Sequence, residues 1–342
     1  MNKAEQELIQ PEQDKTPEQQ IEELKQKNKE LKDRLKEAIT DPVTGLERRA
    51  GLFQDINQEI TEMMGEKGLK KLEELTDNEL IEFIDQLLNN ETIKKQPLNI
   101  AICDVAYLSL ANKSGLQGGD QLLGRIGDAA RAVGSPKVTL PEDLNESEKK
   151  PIVKFFRHGG DELTAIVREW PQEAEQKLQK FAQQVSKIKN IKDFEEANLS
   201  THIDYGLAHI TEALTAFKKI METKEGPKDI PPSARLKNLE NIWLEIAELK
   251  ATIEKTKIRL KLLAELKTKQ PELYDKVIAY LRKGAHNITE KKLNELIEQA
   301  DQKFSGEKWD DITSEFIIQE LKNEKALDEQ SQINLETILK SE

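Results

Sequence analysis

The sequence predicts an α/β fold, a class in which strands and helices alternate along the chain. Two apolar patterns carry this prediction. Residues 98–103, L-N-I-A-I-C, form a short and mostly apolar run that ends at Asp104, which is typical of a buried strand. Two further apolar runs, 152–156 and 163–167, flank Gly159-Gly160, and a glycine pair between such runs is typical of a tight hairpin. Segments with helical periodicity lie between and around these strands.

The composition indicates a soluble, helix-rich protein. The chain has 342 residues, of which 34% are charged and 5% aromatic, and that length suits one large domain with appendages or two domains. The net charge of −12 argues against a general nucleic-acid surface. The single cysteine, Cys103, excludes a disulfide framework. Because no apolar run approaches the roughly 18–20 residues that span a membrane and no apolar signal region opens the chain, we expect a cytoplasmic protein without membrane or nucleic-acid partners.

The N-terminal segment divides into a polar stretch and a helix. Residues 1–15 are rich in Gln, Glu and Lys, a composition that predicts disorder. Residues 16–40 carry a seam at alternating steps of three and four, with a polar Asn28 at one a position. The seam consists of Ile21, Leu24, Asn28, Leu31, Leu35 and Ala38. It predicts a coiled-coil helix that forms a homodimer through 16–40; the alternative is a single amphipathic helix packed on its own domain.

The remaining chain predicts one α/β domain with two helical additions. Asp41-Pro42 and Thr44-Gly45 are turn signals that predict a bend into a new helix. Residues 64–96 have helical spacing and predict a helical insertion of two short helices. The later predicted elements are helix 121–133, hairpin arms 152–156 and 163–167, helix 172–188, strand 202–208 and helix 236–267. We therefore expect the domain to cover 41–264, followed by an all-helical extension over 265–342 that is a small helical module or binds a protein partner.

Six short motifs follow one another along this domain. The first three are D-P-V-T-G-L-E-R-R-A from Asp41, D-V-A-Y-L-S-L-A-N from Asp104 and G-L-Q-G-G-D from Gly115. The last three are R-H-G-G-D-E-L from Arg157, D-Y-G-L-A from Asp204 and A-E from Ala247, which has Lys255 and Arg259 downstream. In this order they resemble the GGDEF domain of diguanylate cyclases, a relative of the palm fold of nucleotidyl cyclases and polymerases. The resemblance implies an α+β sandwich preceded by a signalling helix.

The resemblance also implies an activity, the condensation of two GTP molecules into cyclic di-GMP in a dimer, with Mg²⁺ or Mn²⁺ as cofactor. The implied metal ligands are Asp104, Asp161, Glu162 and the backbone carbonyl of Val105. Carboxylates suit this task because hard divalent cations prefer oxygen ligands. Asp161 and Glu162 are the implied catalytic residues, and Glu162 is either a further ligand or the base for the attacking 3′-hydroxyl.

The implied substrate-binding residues lie around these acids in sequence. They are Asn112, Asp120, Gly159, Gly160, Lys255 and Arg259. The amide and the carboxylate of the first two match the O6 acceptor and the N–H donors of guanine. The two glycines lack a Cβ and would let the backbone approach the nucleotide. The last two are four residues apart on one helix face and would hold the β- and γ-phosphates; the alternative for this pair is an ordinary solvated face.

Several positions depart from the family pattern. Ala106 stands where the family has a second acid, and Leu108-Ser109 replace a Phe-Lys pair whose lysine faces phosphate. Residues 150–153 lack the R-x-x-D product-inhibition motif, so we do not expect feedback by cyclic di-GMP there. These departures favour a second hypothesis, a degenerate domain that binds GTP or another nucleotide without turnover and acts as a signalling or interaction module. A third hypothesis is a scaffold whose insertion and C-terminal helices bind a protein partner.

Overall fold

A computed structural model describes residues 17–90, 97–106, 108, 116–134, 150–188, 201–223, 230–269, 330, 333–334 and 336–338. The chain divides into two compact units, one that ends at Thr40 and one that begins at Asp41. The first unit contains helix α1, Pro17–Ile39. The predicted disorder of 1–15 and most of the predicted C-terminal extension lie outside the described residues.

The second unit is built around a five-stranded sheet with the order β1-β3-β4-β2-β5. Its elements are β1 (Glu47–Arg48), α2 (Arg49–Glu74), α3 (Asp77–Asn89), β2 (Asn99–Val105), α4 (Leu116–Gly134), β3 (Val153–Arg157), β4 (Glu162–Val167), α5 (Pro171–Val185), β5 (Ile203–His209), α6 (Ile210–Glu222) and α7 (Arg235–Lys269). Strand β1 is parallel to β3, and all other neighbours are antiparallel. This mixed sheet with its helices confirms the predicted α/β class. Within the part of the chain that the structure describes, no helix has the length and apolar character needed to cross a membrane.

Two elements go beyond the sequence prediction. Strand β1 has two residues, too few to show an alternating pattern, and it lies where the turn signals predict only a bend into a helix. Helix α6 is longer, and its signals are present in the sequence. Its N-cap is His209, whose amide donates to the Glu212 carboxylate at 2.8 Å, and Ile210, Leu214 and Phe217 recur at helical spacing on its buried face.

Each face of the sheet carries a hydrophobic core. Along β2, Ile100 and Ile102 pack in a cluster with α2, α3, α6 and α7, whereas Ala101 and Cys103 pack in a second cluster with α4 and α5. Since successive side chains of a strand point to opposite faces, a strand covered on both sides must be apolar throughout. Burial of one large apolar side chain contributes about 2 kcal/mol. The two cores therefore explain why the middle of β2, residues 100–103, is apolar on both faces.

The predicted insertion over 64–96 contributes to the first of these cores. Helix α2 kinks at Gly65, where φ is 70° and ψ is 165°. Beyond the kink, Leu72, Leu80 and Ile84 are buried in the same cluster as the sheet residues. Arg235, the first residue of α7, donates to the carbonyl oxygen of Leu72 at 2.8 Å. The described part of this segment is thus joined to the domain by both apolar packing and hydrogen bonds.

Glu240 in α7 gives a pH-dependent prediction. Its side chain is 3% exposed, and Oε1 has no hydrogen-bond partner among the described residues. Burial raises the pKa of Glu240 from 4.5 to about 7, against a smaller opposite effect of Lys237. Between these two values the unfolded chain has released the proton and the folded chain retains it, so the free energy of unfolding falls as pH rises through that window.

We therefore expect Glu240→Gln to be more stable than the parent by about 2 kcal/mol near pH 8 and to lose this advantage near pH 4. Urea unfolding of both proteins at the two pH values measures the difference. A gain that is the same at both pH values would contradict ionisation of Glu240 as its cause.

Candidate functional site

The carboxyl-terminal end of β2 gathers three acids in one row. Strand β2 runs antiparallel to both of its neighbours, and Asp104 lies opposite Glu162 on β4 and opposite Asp204 on β5. Directly opposite residues of antiparallel strands project to the same face, with Cβ atoms about 5 Å apart. The register therefore places three carboxylates side by side, on the sheet face that also carries Ile102 and α7.

The hairpin between β3 and β4 is closed by its own backbone and is joined to this row. The amides of His158 and Gly159 both donate to the carbonyl oxygen of Glu162, at 3.0 and 3.3 Å. The amide of Val105 donates to the carbonyl oxygen of Asp161 at 3.0 Å. Because this last bond fixes the hairpin tip to the end of β2, the four predicted metal-binding residues lie together at one end of the sheet.

The two glycines of the hairpin tip are not required by the turn itself. Among the described glycines, a left-handed φ occurs at Gly45 and Gly65, not at Gly159 or Gly160. A Cβ added at Gly160 would meet nothing within 4 Å, and one added at Gly159 would meet only the Glu162 side chain, at 3.2 Å for the nearest atom. Neither backbone conformation nor packing therefore explains a glycine at 160. The role predicted for Gly160, close approach of a nucleotide to the backbone, stays a prediction.

Gly206 on β5 determines where α7 lies. A Cβ added at Gly206 would collide with backbone atoms of Ala247 and Ala251, so the helix packs directly on the strand. One helical turn beyond Ala251, Lys255 reaches the end of the sheet and forms an ion pair with Asp104. The predicted phosphate-binding lysine is therefore bound to a predicted metal-binding carboxylate.

The acidic end of the sheet carries excess negative charge. Burial is the largest cause that raises the pKa of Glu162, and the charges of Asp161 and Asp104 raise it further. The positive charges of Lys255 and Arg49 act in the opposite direction and do not compensate. The carboxylates are therefore close enough to repel one another, a condition that a cation would relieve.

The donor groups fit a hard divalent cation in their chemistry. Carboxylate oxygens are the ligands that such ions prefer, and the mutual repulsion around Glu162 favours an added positive charge. Among the described residues, however, no group of three or more Asp, Glu, His or Cys side chains is already arranged to hold a metal ion. Asp104 is paired with Lys255. The residues present thus fit Mg²⁺ or Mn²⁺ on the condition that this ion pair opens.

Two acids at the site go beyond the sequence assignment. Asp204 is 4% exposed, its Oδ1 has no hydrogen-bond partner among the described residues, and its Oδ2 lies 3.6 Å from His202 Nε2. Glu248 precedes Lys255 by seven residues and so shares its helix face. Burial raises the pKa of Glu248, and the charge of Glu162 adds to the effect. The signal for Asp204 is an acid inside a strand that is otherwise apolar on both faces.

The structure does not test the other predicted substrate-binding residues. Asp120 lies at the exposed surface of α4. Asn112 lies outside the described residues, and Arg259 belongs to α7 with its side chain outside them. The assignment of Asn112 and Asp120 to guanine and of Arg259 to phosphate stays a prediction.

A buried turn connects the start of the domain to the hairpin. The Asp41 carboxylate accepts a hydrogen bond from the Thr44 amide at 2.8 Å. Both of its oxygens also accept from Arg157 Nη1, each at 3.0 Å. Arg157 also donates to the carbonyl oxygens of Gly159 and Gly160, at 3.2 and 3.1 Å. Burial raises the pKa of Asp41, but these hydrogen bonds outweigh it and leave the pKa lowered. Arg157 therefore links the hairpin tip to the turn at the start of the second unit.

The structure is similar to solved GGDEF domains. The coiled coil and GGDEF domain of DgcB from Caulobacter crescentus, in complex with c-di-GMP, is 14% identical over 55% of this chain and 78% of that chain, with a TM-score of 0.35. The FimX GGDEF domain from Pseudomonas aeruginosa is 17% identical over 50% and 78%, with a TM-score of 0.30. The diguanylate cyclase SiaD from Pseudomonas aeruginosa, in complex with its activator SiaC, is 17% identical over 64% and 65%, with a TM-score of 0.30. No protein-family model and no curated protein sequence matches the chain.

Proposed function

We propose that the protein is a metal-dependent diguanylate cyclase, which condenses two GTP molecules into cyclic di-GMP. The observation that carries the proposal is the register of β2 and β4, which sets Asp104 opposite Glu162 with Asp161 at the adjacent hairpin tip. These are the acids that the six sequence motifs single out, and Lys255 forms an ion pair with Asp104 among them. Residues 41–264 form the catalytic domain in this proposal, and the protein acts in the cytoplasm.

The chemical roles follow from the groups at the site. Mg²⁺ or Mn²⁺, held by Asp104, Asp161, Glu162 and the carbonyl of Val105, would supply charge neutralisation of the triphosphate and acidification of the 3′-hydroxyl. Where Glu162 does not hold the ion, its carboxylate would be the base that accepts the proton of that hydroxyl. When GTP binds, Lys255 would leave its ion pair with Asp104 and bind the β- and γ-phosphates, which carry more charge and more acceptor oxygens.

The proposal also assigns residues to the recognition of guanine and to further contacts with the phosphates. Asn112 and Asp120 would read guanine, the open space at Gly160 would admit the phosphates close to the backbone, and Arg259 would join Lys255 on the triphosphate.

A homodimer belongs to this proposal because each protomer would supply one GTP half-site. Helix α1 supports it through three seam residues with large exposed apolar side chains, Ile21, Leu24 and Leu31, which are 52%, 61% and 62% exposed. Burial of such a seam against a second copy is the expected role of a short heptad pattern with one polar a position. The extension predicted over 265–342 would bind a protein partner in this proposal.

Incubation of the purified full chain with GTP and Mg²⁺, followed by chromatographic detection of cyclic di-GMP, tests the proposal. We expect product from the parent and none from Glu162→Gln, which removes the proposed base and a ligand charge. The matched control is Glu173→Gln, the same exchange at an exposed position of α5, which is expected to retain activity.

A second function, nucleotide binding without turnover, is favoured by the Lys255–Asp104 ion pair and by Ala106 in place of a second acid. Metal-dependent GTP binding by a parent chain that forms no product would support this signalling module and overturn the cyclase.

A further inference from the structure

Arg49 is a positively charged residue near the acidic end of the sheet that the proposed function does not use. It is the first residue of α2 and directly follows β1. Arg48 of β1 lies opposite Arg157, the residue that ends β3. Because β1 is parallel to β3, both strands run toward the hairpin tip, and α2 begins beside it. The topology therefore places Arg49 next to the hairpin.

The charge of Arg49 acts on two residues of the hairpin. Burial is the largest cause that lowers the pKa of His158, and the positive charge of Arg49 lowers it further. Burial is also the largest cause that raises the pKa of Glu162, and there the charge of Arg49 acts in the opposite direction. Both effects have the sign that a nearby cation produces. They agree with the topology that Arg49 lies close to the Glu162 carboxylate.

Arg49 is exposed, and it is not paired with an acid of the part of the chain that the structure describes. The two acids nearest to it in sequence, Glu47 and Asp55, both pair with Lys154, at 2.9 Å each. Its guanidinium lies over the ring of Phe53, 5.3 Å from the centroid. A cation against an aromatic face keeps its charge and the N–H donors at its edge. The guanidinium therefore remains able to bind an anion.

Arg49 and Lys255 approach the acids from opposite sides. In the strand order β1-β3-β4-β2-β5, Glu162 and Asp104 belong to the inner strands β4 and β2. Helix α2 follows β1 at one edge of the sheet, whereas α7 packs on β5 at the other edge. Residues of both helices pack in the same core cluster, so the two helices cover the same sheet face. A molecule bound at the acids would therefore lie between these two cationic side chains.

We propose that Arg49 binds the triphosphate of GTP at the hairpin, from the side opposite to Lys255. A triphosphate carries several negative charges, whereas Lys255 supplies one positive charge and is already paired with Asp104. A guanidinium presents paired N–H donors that match two oxygens of one phosphate group. This inference rests on the nucleotide site of the proposed function, but it does not require turnover.

Equilibrium dialysis of 3′-deoxy-GTP, which lacks the attacking hydroxyl, with the full chain at saturating Mg²⁺ tests the proposal. We expect Arg49→Met to bind the nucleotide about tenfold more weakly than the parent, because one charged contact to phosphate is lost. Arg49→Lys keeps the charge but not the paired donors, so its affinity should lie between the two. The matched control is Arg48→Met, the same exchange at the preceding exposed residue, which should leave the affinity unchanged.

The direction of the change separates a phosphate contact from a role in balancing the acids. If Arg49 only balanced the acids, it would compete with Mg²⁺ for them, and its removal would leave nucleotide binding unchanged or make it tighter. Either result would overturn the proposal. An equal loss of affinity in Arg49→Met and Arg48→Met would also overturn it, because the loss would then reflect net charge and not one contact.

The same measurements separate this inference from the proposed function. A parent chain that binds 3′-deoxy-GTP more tightly than Arg49→Met, yet forms no cyclic di-GMP from GTP, would contradict the cyclase and support the role of Arg49. Product formation by the parent together with equal nucleotide binding by Arg49→Met would contradict only the role of Arg49. A parent chain that binds no nucleotide would overturn both.

Discussion

Gly206→Ala is expected to destabilise the protein by about 3 kcal/mol or more, the largest stability effect that the structure predicts for the addition of one methyl group. The added Cβ would collide with backbone atoms of Ala247, Lys250 and Ala251 in α7. Backbone atoms of a helix cannot yield by changing rotamer, so the whole helix must move away from β5. That movement would also loosen Trp243, which is buried and donates to the Ala208 carbonyl oxygen at 2.9 Å.

Urea unfolding measures this effect, and Gly160→Ala is its matched control. A Cβ added at Gly160 meets nothing within 4 Å, and its φ is not left-handed, so the free energy of unfolding should change by less than about 0.5 kcal/mol. Equal, small effects of the two substitutions would show that α7 does not rest on β5 as closely as we infer.

The positions of Asp104, Asp161 and Glu162 at a strand end and a hairpin tip could be predicted from local sequence signals. Asp104 directly follows the apolar residues 100–103, and Asp161 and Glu162 follow a glycine pair between two apolar runs. Strand ends and hairpin tips are fixed by such short patterns, since the patterns specify burial on both faces and the position of the turn. The register between β2 and β4 then sets Asp104 opposite Glu162. Local pattern and pairing register agree at this point.

The partner of Lys255 could not be predicted in the same way. Its place on α7 and its charge suggest a phosphate contact, whereas the structure pairs it with Asp104, 151 residues away in sequence. That contact depends on the position of α7 relative to β5. Gly206 sets this position because the backbones of the strand and the helix, which are far apart in sequence, pack directly against each other there. Sequence periodicity identifies the buried face of a helix, but not its axial position on a sheet. Asp204 joins the acidic row through the register of β5 against β2, which is also a non-local pairing.

Lys255→Met is expected to separate metal binding from nucleotide binding. Removal of the ammonium group frees Asp104 and adds one net negative charge to the acidic end of the sheet, so Mn²⁺ should bind about tenfold more tightly without nucleotide. The same change removes a charged contact to phosphate, so 3′-deoxy-GTP, which lacks the attacking hydroxyl, should bind about tenfold more weakly. Electron paramagnetic resonance of free Mn²⁺ and equilibrium dialysis of the nucleotide measure the two affinities.

Lys257→Met is the matched control for this pair of measurements. Lys257 lies two residues along the same helix and pairs at 2.6 Å with Glu254 of that helix, so its removal should leave both affinities nearly unchanged. Weaker nucleotide binding by Lys255→Met without tighter Mn²⁺ binding would mean that the ion pair does not compete with the metal. Tighter Mn²⁺ binding without weaker nucleotide binding would remove Lys255 from the phosphate site. Only opposite changes support a lysine that exchanges Asp104 for the triphosphate, because one positive charge cannot neutralise both anions at once.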